Sequence, residues 1–135
     1  MVGIVLITHG TLGESLMRAA AHTLGKPLEH VEHVSVGAVD IPELVLARVE
    51  RAMARVDDGG GVLILTDMFG ATPANVASRV LQDGRVEGLS GANLPMLVRA
   101  IAHRDLPLAV VVEKAQGGGT TGVVYMNRDK CCGER

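Results

Sequence analysis

The sequence predicts an α/β protein, a doubly wound three-layer arrangement in which helices cover both faces of a mainly parallel central sheet. Short and almost uninterrupted apolar segments at residues 2–8 and 62–66, and a mixed segment at residues 31–36 with valine at 31, 34 and 36, alternate with longer amphipathic segments. Uninterrupted apolar strands are typical of parallel sheets, because helices bury both faces of such a sheet. With 135 residues, 47% of them hydrophobic, we expect residues 1–135 to form a single domain with an aliphatic core.

The first predicted strand runs into His9-Gly10. Thr11 and Glu14 form a Thr-x-x-Glu capping box, so a helix is expected to follow at once. His9 is thereby predicted at the carboxyl end of a parallel strand. That edge of an open α/β sheet is where ligands bind, because helix amino termini present free N–H groups there.

A second strand and a second helix follow. The strand is predicted at residues 31–36, and Asp40 with Glu43 repeats the capping pattern. Pro42 falls in the first turn of the helix, a position that proline favours because its missing N–H is not needed there. The apolar spacing predicts that this helix continues to about residue 56.

The third strand, at residues 62–66, ends in Asp67. The loop after it leads to Thr72, a predicted N-cap, and to Pro73 at the first helical position. A helix is expected from there to about Gln82. Asp67 therefore occupies the same kind of position after its strand as His9 does after the first.

A fourth, shorter strand is predicted at residues 86–90, with a turn at residues 91–93 and a helix from Leu94 onwards. Right-handed crossovers would bring the carboxyl ends of the first, third and fourth strands to one edge of the sheet. The three loops at that edge share one design, in which a strand is followed by a polar turn and a helix.

The last third of the chain is the most ambiguous. Residues 106–115 fit either a strand or a helix, and the glycines at 117–119 indicate a flexible segment. Residues 122–126 are predicted to form a final strand, and residues 127–135 a flexible polar tail.

His9 and Asp67 are the candidate catalytic residues. A carboxylate that accepts a hydrogen bond from one imidazole nitrogen fixes the tautomer and leaves the other nitrogen free as a nucleophile. Phosphoryl transfer to such a nitrogen depends mostly on positioning and charge neutralisation. The predicted phosphate donors are backbone N–H groups and hydroxyls of the two turns, namely Gly10, Thr11, Gly70, Ala71 and Thr72.

Taken singly, each of these residues has an ordinary structural explanation. A histidine after a strand is commonly a solvated loop residue, and an aspartate there is commonly a cap. The pair is the more informative signal, because both residues lie at one predicted sheet edge and each precedes a glycine-containing turn.

Composition excludes several other functions. One Tyr, one Phe and no Trp leave almost nothing for base stacking, and a formal charge of −2 provides no basic surface for nucleic acid. No apolar run approaches the ~20 residues that span a bilayer. We expect neither cofactor nor metal, because no histidine or cysteine set has zinc spacing and no phosphate-binding glycine motif is present. The amino terminus lacks an export signal, and adjacent Cys131 and Cys132 do not favour a disulfide, so we expect a cytoplasmic protein.

Three motifs resemble the mannose/fructose-type IIA component of the bacterial phosphoenolpyruvate-dependent sugar phosphotransferase system (PTS). They are Ile-Thr-His-Gly at residues 7–10, Asp-Met-Phe-Gly-Ala-Thr-Pro-Ala-Asn at 67–75, and Ser-Gly-Ala-Asn-Leu-Pro-Met-Leu at 90–97. The resemblance covers roughly residues 1–115. It implies that His9 accepts phosphate from the phosphocarrier HPr and passes it to a IIB protein, while Asp67 orients the imidazole.

The resemblance also implies the remaining features of the site and the assembly. The turn at residues 70–72 would hold the phosphoryl group, with Phe69, Asn93, Leu94 and Pro95 bordering the site. An antiparallel edge strand, for which residues 122–126 are the candidate, is exchanged between subunits in dimeric members, so a homodimer is expected. The acceptor would be a separate IIB protein or a regulatory target, and any contact with a membrane transporter would be peripheral.

Four alternatives stay open. Receiver-like signalling domains carry a phosphoaccepting Asp after the third strand but need acidic residues where Thr8-His9 stands. Histidine phosphatases place Arg immediately before the His. The phosphocarrier subunit of dihydroxyacetone kinase shares the fold and the His but has a different turn after the third strand. A non-catalytic binding module is the fourth.

Overall fold

A computed structural model describes residues 1–128 of the chain. The elements follow in the order β1 (Gly3–His9), α1 (Leu12–Leu24), β2 (Val31–Val36), α2 (Pro42–Val56), β3 (Val62–Thr66), α3 (Thr72–Ser78), β4 (Val86–Ser90), α4 (Leu94–Ala102) and α5 (Leu108–Thr121). The four strands form one sheet in the order β2-β1-β3-β4, and each neighbouring pair is parallel. The predicted α/β class with a mainly parallel sheet is confirmed.

Helices cover both faces of the sheet. Ile4 and Leu6 of β1 point into a core shared with α1, α4 and α5, whereas Val5 and Ile7 point into a core shared with α2 and α3. All four side chains are fully buried. The central strands β1 and β3 are apolar on both faces for this reason, whereas the end strands β2 and β4 carry partly exposed polar residues. No helix within residues 1–128 combines the length and the apolar composition needed to cross a membrane.

Helix α1 begins where it was predicted, but it is capped by a different residue. Thr11 occupies the N-cap position, yet its hydroxyl makes no capping hydrogen bond, so the predicted capping box is wrong. The Gly13 N–H instead donates to the buried Thr8 hydroxyl oxygen at 2.8 Å. A Cβ at Gly13 would lie 2.8 Å from that same oxygen, so glycine is needed for the close approach. The Thr11 hydroxyl is therefore not used to cap α1.

The capping residue predicted for α2 is also wrong. Pro42 lies at the start of the helix as expected, but Ile41 is the N-cap and has no capping side chain. The Asp40 carboxylate accepts a hydrogen bond from the Gly37 N–H at 2.6 Å and interacts with Arg48 at 3.4 Å. Asp40 therefore closes the loop after β2 and is not available to the helix, a competition that is common for aspartate.

Helix α3 is shorter than predicted. Its N-cap is Ala71, so Thr72 and Pro73 are the first two helical residues. The helix ends at Ser78 and does not reach Gln82. The Gln82 N–H and carbonyl bond with the backbone of Val86, which occupies the groups that a longer helix would use.

Residues 108–115 of the ambiguous segment belong to α5. This helix continues through the glycines at 117–119, so the prediction of flexibility there is wrong. The glycines allow α5 to pack closely on α4. A Cβ at Gly118 would overlap the Arg99 side chain, and one at Gly119 would lie 2.7 Å from Met96 Cε.

The predicted antiparallel strand at residues 122–126 is not formed. Gly122 caps α5, and the residues after it are irregular and pair with no strand within residues 1–128. A strand needs a neighbouring edge to satisfy its backbone groups, and α5 ends beside Pro95 at the start of α4, where the chain meets no such edge. Of the predicted tail, residues 127 and 128 form a turn and 129–135 lie outside the described residues.

Arg104 stabilises the amino-terminal edge of the sheet through hydrogen bonds to backbone carbonyls, a role that the sequence did not indicate. Its side chain is buried, and its guanidinium donates to the carbonyls of Val2, Glu29 and His30. Burial lowers the pKa of Arg104 from its usual value. One cation thereby joins the starts of β1 and β2 to the end of α4.

We expect Arg104→Met to destabilise the fold by about 2–4 kcal/mol, because three carbonyls lose their buried donor. Urea unfolding followed by circular dichroism measures this change. Arg18→Met is the matched control, since the Arg18 side chain is 81% exposed. A destabilisation equal to that of the control would contradict this role.

Candidate active site

The structure brings His9 and Asp67 together at the carboxyl edge of the sheet. His9 is the last residue of β1, and Asp67 directly follows β3, which pairs with β1. One carboxylate oxygen, Asp67 Oδ2, lies 2.9 Å from both the backbone nitrogen and the ring Nδ1 of His9. The two bonds fix the imidazole relative to its own backbone.

Asp67 is held in the ionised form. Its side chain is only 10% exposed, and this burial by itself raises the pKa. The hydrogen bonds from the His9 backbone N–H and ring, together with the charge that the ring carries when it is protonated, outweigh burial and lower the pKa of Asp67 below its ordinary value of 3.8. The other oxygen, Oδ1, is buried and has no hydrogen-bond partner within residues 1–128. Asp67 therefore acts on its surroundings through Oδ2.

The arrangement determines which nitrogen of His9 is free. An ionised carboxylate can only accept, so Nδ1 carries the proton that it donates to Asp67. Nε2 then keeps its lone pair, on the side of the ring away from Asp67. The His9 side chain is 49% exposed, which leaves room for an incoming group. In chemical terms the site presents an oriented, accessible nitrogen nucleophile.

A cleft of about 370 Å³ opens beside the imidazole. His9, Gly10 and Thr72, which are among the predicted site residues, line it together with Val36, Gly37 and Ala38. The loop after β2, to which Gly37 and Ala38 belong, was not among the three loops predicted at this edge. The sequence does carry a signal for this loop, since the predicted strand at residues 31–36 is followed by Gly37. Because β2 is parallel to β1, its carboxyl end must lie at the same edge.

The structure changes the set of free donors around the cleft. The Gly10 N–H was a predicted phosphate donor, but it donates to the Val36 carbonyl at 3.1 Å. The hydroxyl of Thr11 remains, since it does not cap α1. Gly10 and Gly70 both have positive φ, 53° and 85°, and the space where a Cβ would project is open at each. Glycine at these positions thus permits both the turn and a close approach to the backbone.

The predicted border residues lie outside this cleft. Phe69 is 86% exposed and lines a neighbouring cavity of about 170 Å³ between α3 and the β3–β4 pair. Asn93 caps α4, since its side chain accepts from the Met96 N–H at 2.9 Å and donates to the Gly119 carbonyl at 3.0 Å. Leu94 and Pro95 form the first turn of α4. The contacts of Asn93 therefore organise the α4–α5 packing.

The ionisation of Asp67 predicts a pH-dependent stability. Because its pKa is lower in the folded state, ionised Asp67 stabilises the fold above pH 3.8 and loses this effect as the pH falls through the folded pKa. We expect the unfolding free energy of the parent to exceed that of Asp67→Asn at pH about 6, and the difference to shrink towards pH about 3. Urea unfolding of both proteins across this range measures it. A difference independent of pH would contradict the assignment.

Comparison with known proteins points to one family. The family model described as "PTS system fructose IIA component" matches residues 3–115. The mannose-specific EIIAB component of the PTS from Escherichia coli K12 is 34% identical over 105 residues, which are 77% of this chain and 32% of that protein. The fructose-specific EIIA component from Bacillus subtilis 168 is 26% identical over 106 residues, 78% of this chain and 72% of that protein. The chain thus spans about a third of the length of the Escherichia coli relative.

Solved structures agree with this assignment. The crystal structure of phosphotransferase system component EIIA from Streptococcus agalactiae superposes with a TM-score of 0.84 at 26% identity, covering 95% of this chain and 99% of that one. The mannose/sorbose-specific IIA subunit from Enterococcus faecalis shares the fold, with a TM-score of 0.81 at 21% identity over 92% of this chain and 93% of that one. Together with the match over residues 3–115, these likenesses show that the chain belongs to the fructose/mannose-type IIA component family of the PTS.

Proposed function

We propose that this protein is a phosphohistidine carrier that accepts a phosphoryl group on His9 from phospho-HPr and passes it to a separate IIB protein or to a regulatory target. Membership of the family supports a phosphocarrier role in sugar transport. The main observation that supports His9 as the phosphate acceptor is the pair of 2.9 Å contacts from its backbone nitrogen and ring Nδ1 to Asp67 Oδ2. We also propose that it acts in the cytoplasm, where its donor would be found.

The chemistry follows from the tautomer. The lone pair of His9 Nε2 attacks the phosphorus of a phosphohistidine donor, so a new N–P bond forms while the donor's N–P bond breaks. The donor nitrogen leaves with the electron pair of that bond. As positive charge develops on the imidazole of His9, the ionised Asp67 at 2.9 Å from Nδ1 stabilises it. No group other than the phosphoryl moves between the proteins.

The turns around His9 supply the proposed phosphate contacts. Thr72 lines the cleft, and the Thr11 hydroxyl is not used in capping. The N–H groups of Leu12 and Glu14 in the first turn of α1 have no acceptor within the helix, whereas the Gly13 N–H already donates to the Thr8 hydroxyl oxygen. Gly70 and Ala71 precede α3 and complete the proposed cradle. Loose transition states of phosphoryl transfer are stabilised by such donors around the equatorial oxygens.

Exposed apolar side chains at the carboxyl edge of the sheet support docking of another protein at this site. They lie in the loops and first helical turns after β1, β2 and β3, in a molecule whose other apolar side chains are mostly buried. Apolar patches of this kind mark protein interaction sites. We call them the apolar rim, which consists of Leu12, Val39, Ile41, Leu44, Met68 and Phe69.

The apolar rim leads to a kinetic prediction. Val39 is 93% exposed, so Val39→Ser should leave the fold intact. We expect it to lower kcat/KM for phosphoryl transfer from phospho-HPr about tenfold, because a buried interface contact is lost. Leu106→Ser is the control, since Leu106 is also exposed but lies between α4 and α5, at the opposite edge. Equal rates for the two variants would contradict docking at the rim.

Intact-protein mass spectrometry tests the proposed function. The protein is incubated with phosphoenolpyruvate, enzyme I and HPr, and a portion is then treated briefly with acid. We expect the mass of one phosphoryl group to appear only with the complete mixture and to disappear in acid, as a phosphoramidate requires. Folded protein that gains no mass would overturn the proposal.

We further propose that the protein is a homodimer. Val123, Val124, Tyr125 and Met126 follow α5 and are all exposed, and β4 is the last strand of the sheet. Pairing of residues 122–126 with the β4 edge of a second copy would cover these side chains and satisfy both backbones. Light scattering should give the mass of a dimer, and Val124→Pro should reduce it to that of a monomer. A monomeric parent at micromolar concentration would contradict the dimer.

A further inference from the structure

The outer edge of β2 carries a groove that phosphoryl transfer does not use. The groove has a volume of about 370 Å³ and lies between β2 and one face of α2. β2 is an end strand of the sheet, so its outer side has no neighbour among residues 1–128. The lining residues are His33, Val34, Ser35, Arg48, Arg51 and Arg55.

Main-chain groups of β2 are open towards the groove. The His30 carbonyl accepts from the Ile4 N–H, and the Val36 carbonyl accepts from the Gly10 N–H. The even-numbered residues of β2 therefore bond with β1, and the alternation of a strand turns the N–H and C=O groups of His33 and Ser35 outwards. Such an edge can accept the backbone of an added extended chain.

Three arginines stand beside this edge at helical spacing. Residues 48, 51 and 55 share one face of α2, since they are three and four positions apart. Arg55 forms a bidentate pair with Glu32 near the start of β2, with distances of 2.7–2.9 Å. Arg48 contacts Asp40 at 3.4 Å, just beyond the end of β2. Arg51 lies between them on the helix, is exposed, and has no ion pair within residues 1–128.

The spacing of the arginines suits a strand with alternating carboxylates. Arg51 and Arg55 are separated by about 6 Å along the helix axis. Side chains on one face of an extended chain repeat every ~6.7 Å. If one carboxylate of an added extended chain contacts Arg51, the next carboxylate on the same face of that chain therefore lies close to Arg55. A second copy of this chain is a poor occupant, because two such edges would bring their arginines together.

We propose that the β2 edge binds an extended acidic segment of a partner protein, which adds as a fifth strand and places a carboxylate on Arg51. The backbone groups of His33 and Ser35 supply the pairing, and the α2 arginines select for acidic side chains. This surface is separate from the His9 chemistry, so the proposal does not depend on the phosphocarrier function.

A fluorescent peptide of about eight residues with alternating Glu and Val tests this inference by anisotropy. We expect saturable binding to the parent protein and none for the matching Lys–Val peptide. Arg51→Glu should weaken binding at least about tenfold. Arg18→Glu, which makes the same charge change at an exposed position of α1, should not weaken it.

Two further measurements test backbone pairing. Ser35→Pro removes an outward N–H that β1 does not use, so it should fold and lose binding, whereas Ser35→Ala should bind normally. The acidic peptide with N-methylated backbone should fail to bind the unaltered protein, which tests pairing even when the proline variant does not fold. Absence of acidic-peptide binding, equal binding of the basic peptide, or full binding by the N-methylated peptide would each overturn the inference. In the first case the arginines would act only to protect the edge from aggregation.

Discussion

His9→Ala is expected to incorporate no phosphoryl group under conditions that fully label the parent protein. Among the described residues that line the cleft, His9 alone has a side chain with a free nitrogen lone pair, and the substitution removes it. The fold should survive, because the His9 side chain is half-exposed and the backbone N–H that bonds to Asp67 is retained. Intact-mass measurement with phosphoenolpyruvate, enzyme I and HPr detects the loss, and circular dichroism confirms folding.

His22→Ala is the matched control for this experiment. His22 is exposed and lies in the last turn of α1, at the opposite end of that helix from the site. It should be phosphorylated at the parent rate. Acid-labile phosphate on folded His9→Ala would show that another residue is the acceptor, and the proposed role of His9 would have to be abandoned.

Asp67→Asn is expected to fold and to accept phosphate roughly 10²-fold more slowly or worse. The asparagine oxygen can still accept hydrogen bonds from both the backbone and the ring of His9, so the geometry persists. The negative charge at 2.9 Å from Nδ1 is lost, and with it the stabilisation of the developing imidazolium. Rapid-quench measurement of the first phosphorylation step reports this rate directly.

Asp83→Asn is the matched control for the charge change. Asp83 is exposed and lies in the turn before β4, at the amino-terminal edge of the sheet. It should transfer at the parent rate. A parent rate for Asp67→Asn as well would show that Asp67 has only a structural role, and the orientation of His9 would need another explanation.

The proximity of His9 and Asp67 could be predicted because it depends on local sequence signals. An apolar run followed by a polar residue and a glycine predicts the carboxyl end of a buried strand, and parallel strands place those ends at one edge. His9 and Asp67 are 58 positions apart in the chain, yet the strand pattern alone predicted that they meet. The remaining lining residues at 36–38 follow the same rule through β2.

Helix caps were predicted less well, for a physical reason. Thr11, Asp40 and Thr72 all have side chains that cap helices, and none of them does so in this structure. Short polar side chains have several local partners with similar energies. Which partner wins depends on groups brought close by packing, such as the Thr8 hydroxyl that accepts from Gly13.

By itself, the sequence determined the fold class, the positions of the four strands along the chain and the proximity of His9 to Asp67. These features depend on hydrophobic periodicity, which is a property of each local segment, and on the fixed handedness of crossovers between parallel strands. Only the tertiary structure decided that residues 108–121 form a helix, that Gly10 has no free N–H, and that Arg104 joins two strand ends. Those outcomes depend on contacts between residues far apart in the chain, and no local pattern specifies the geometry of such contacts.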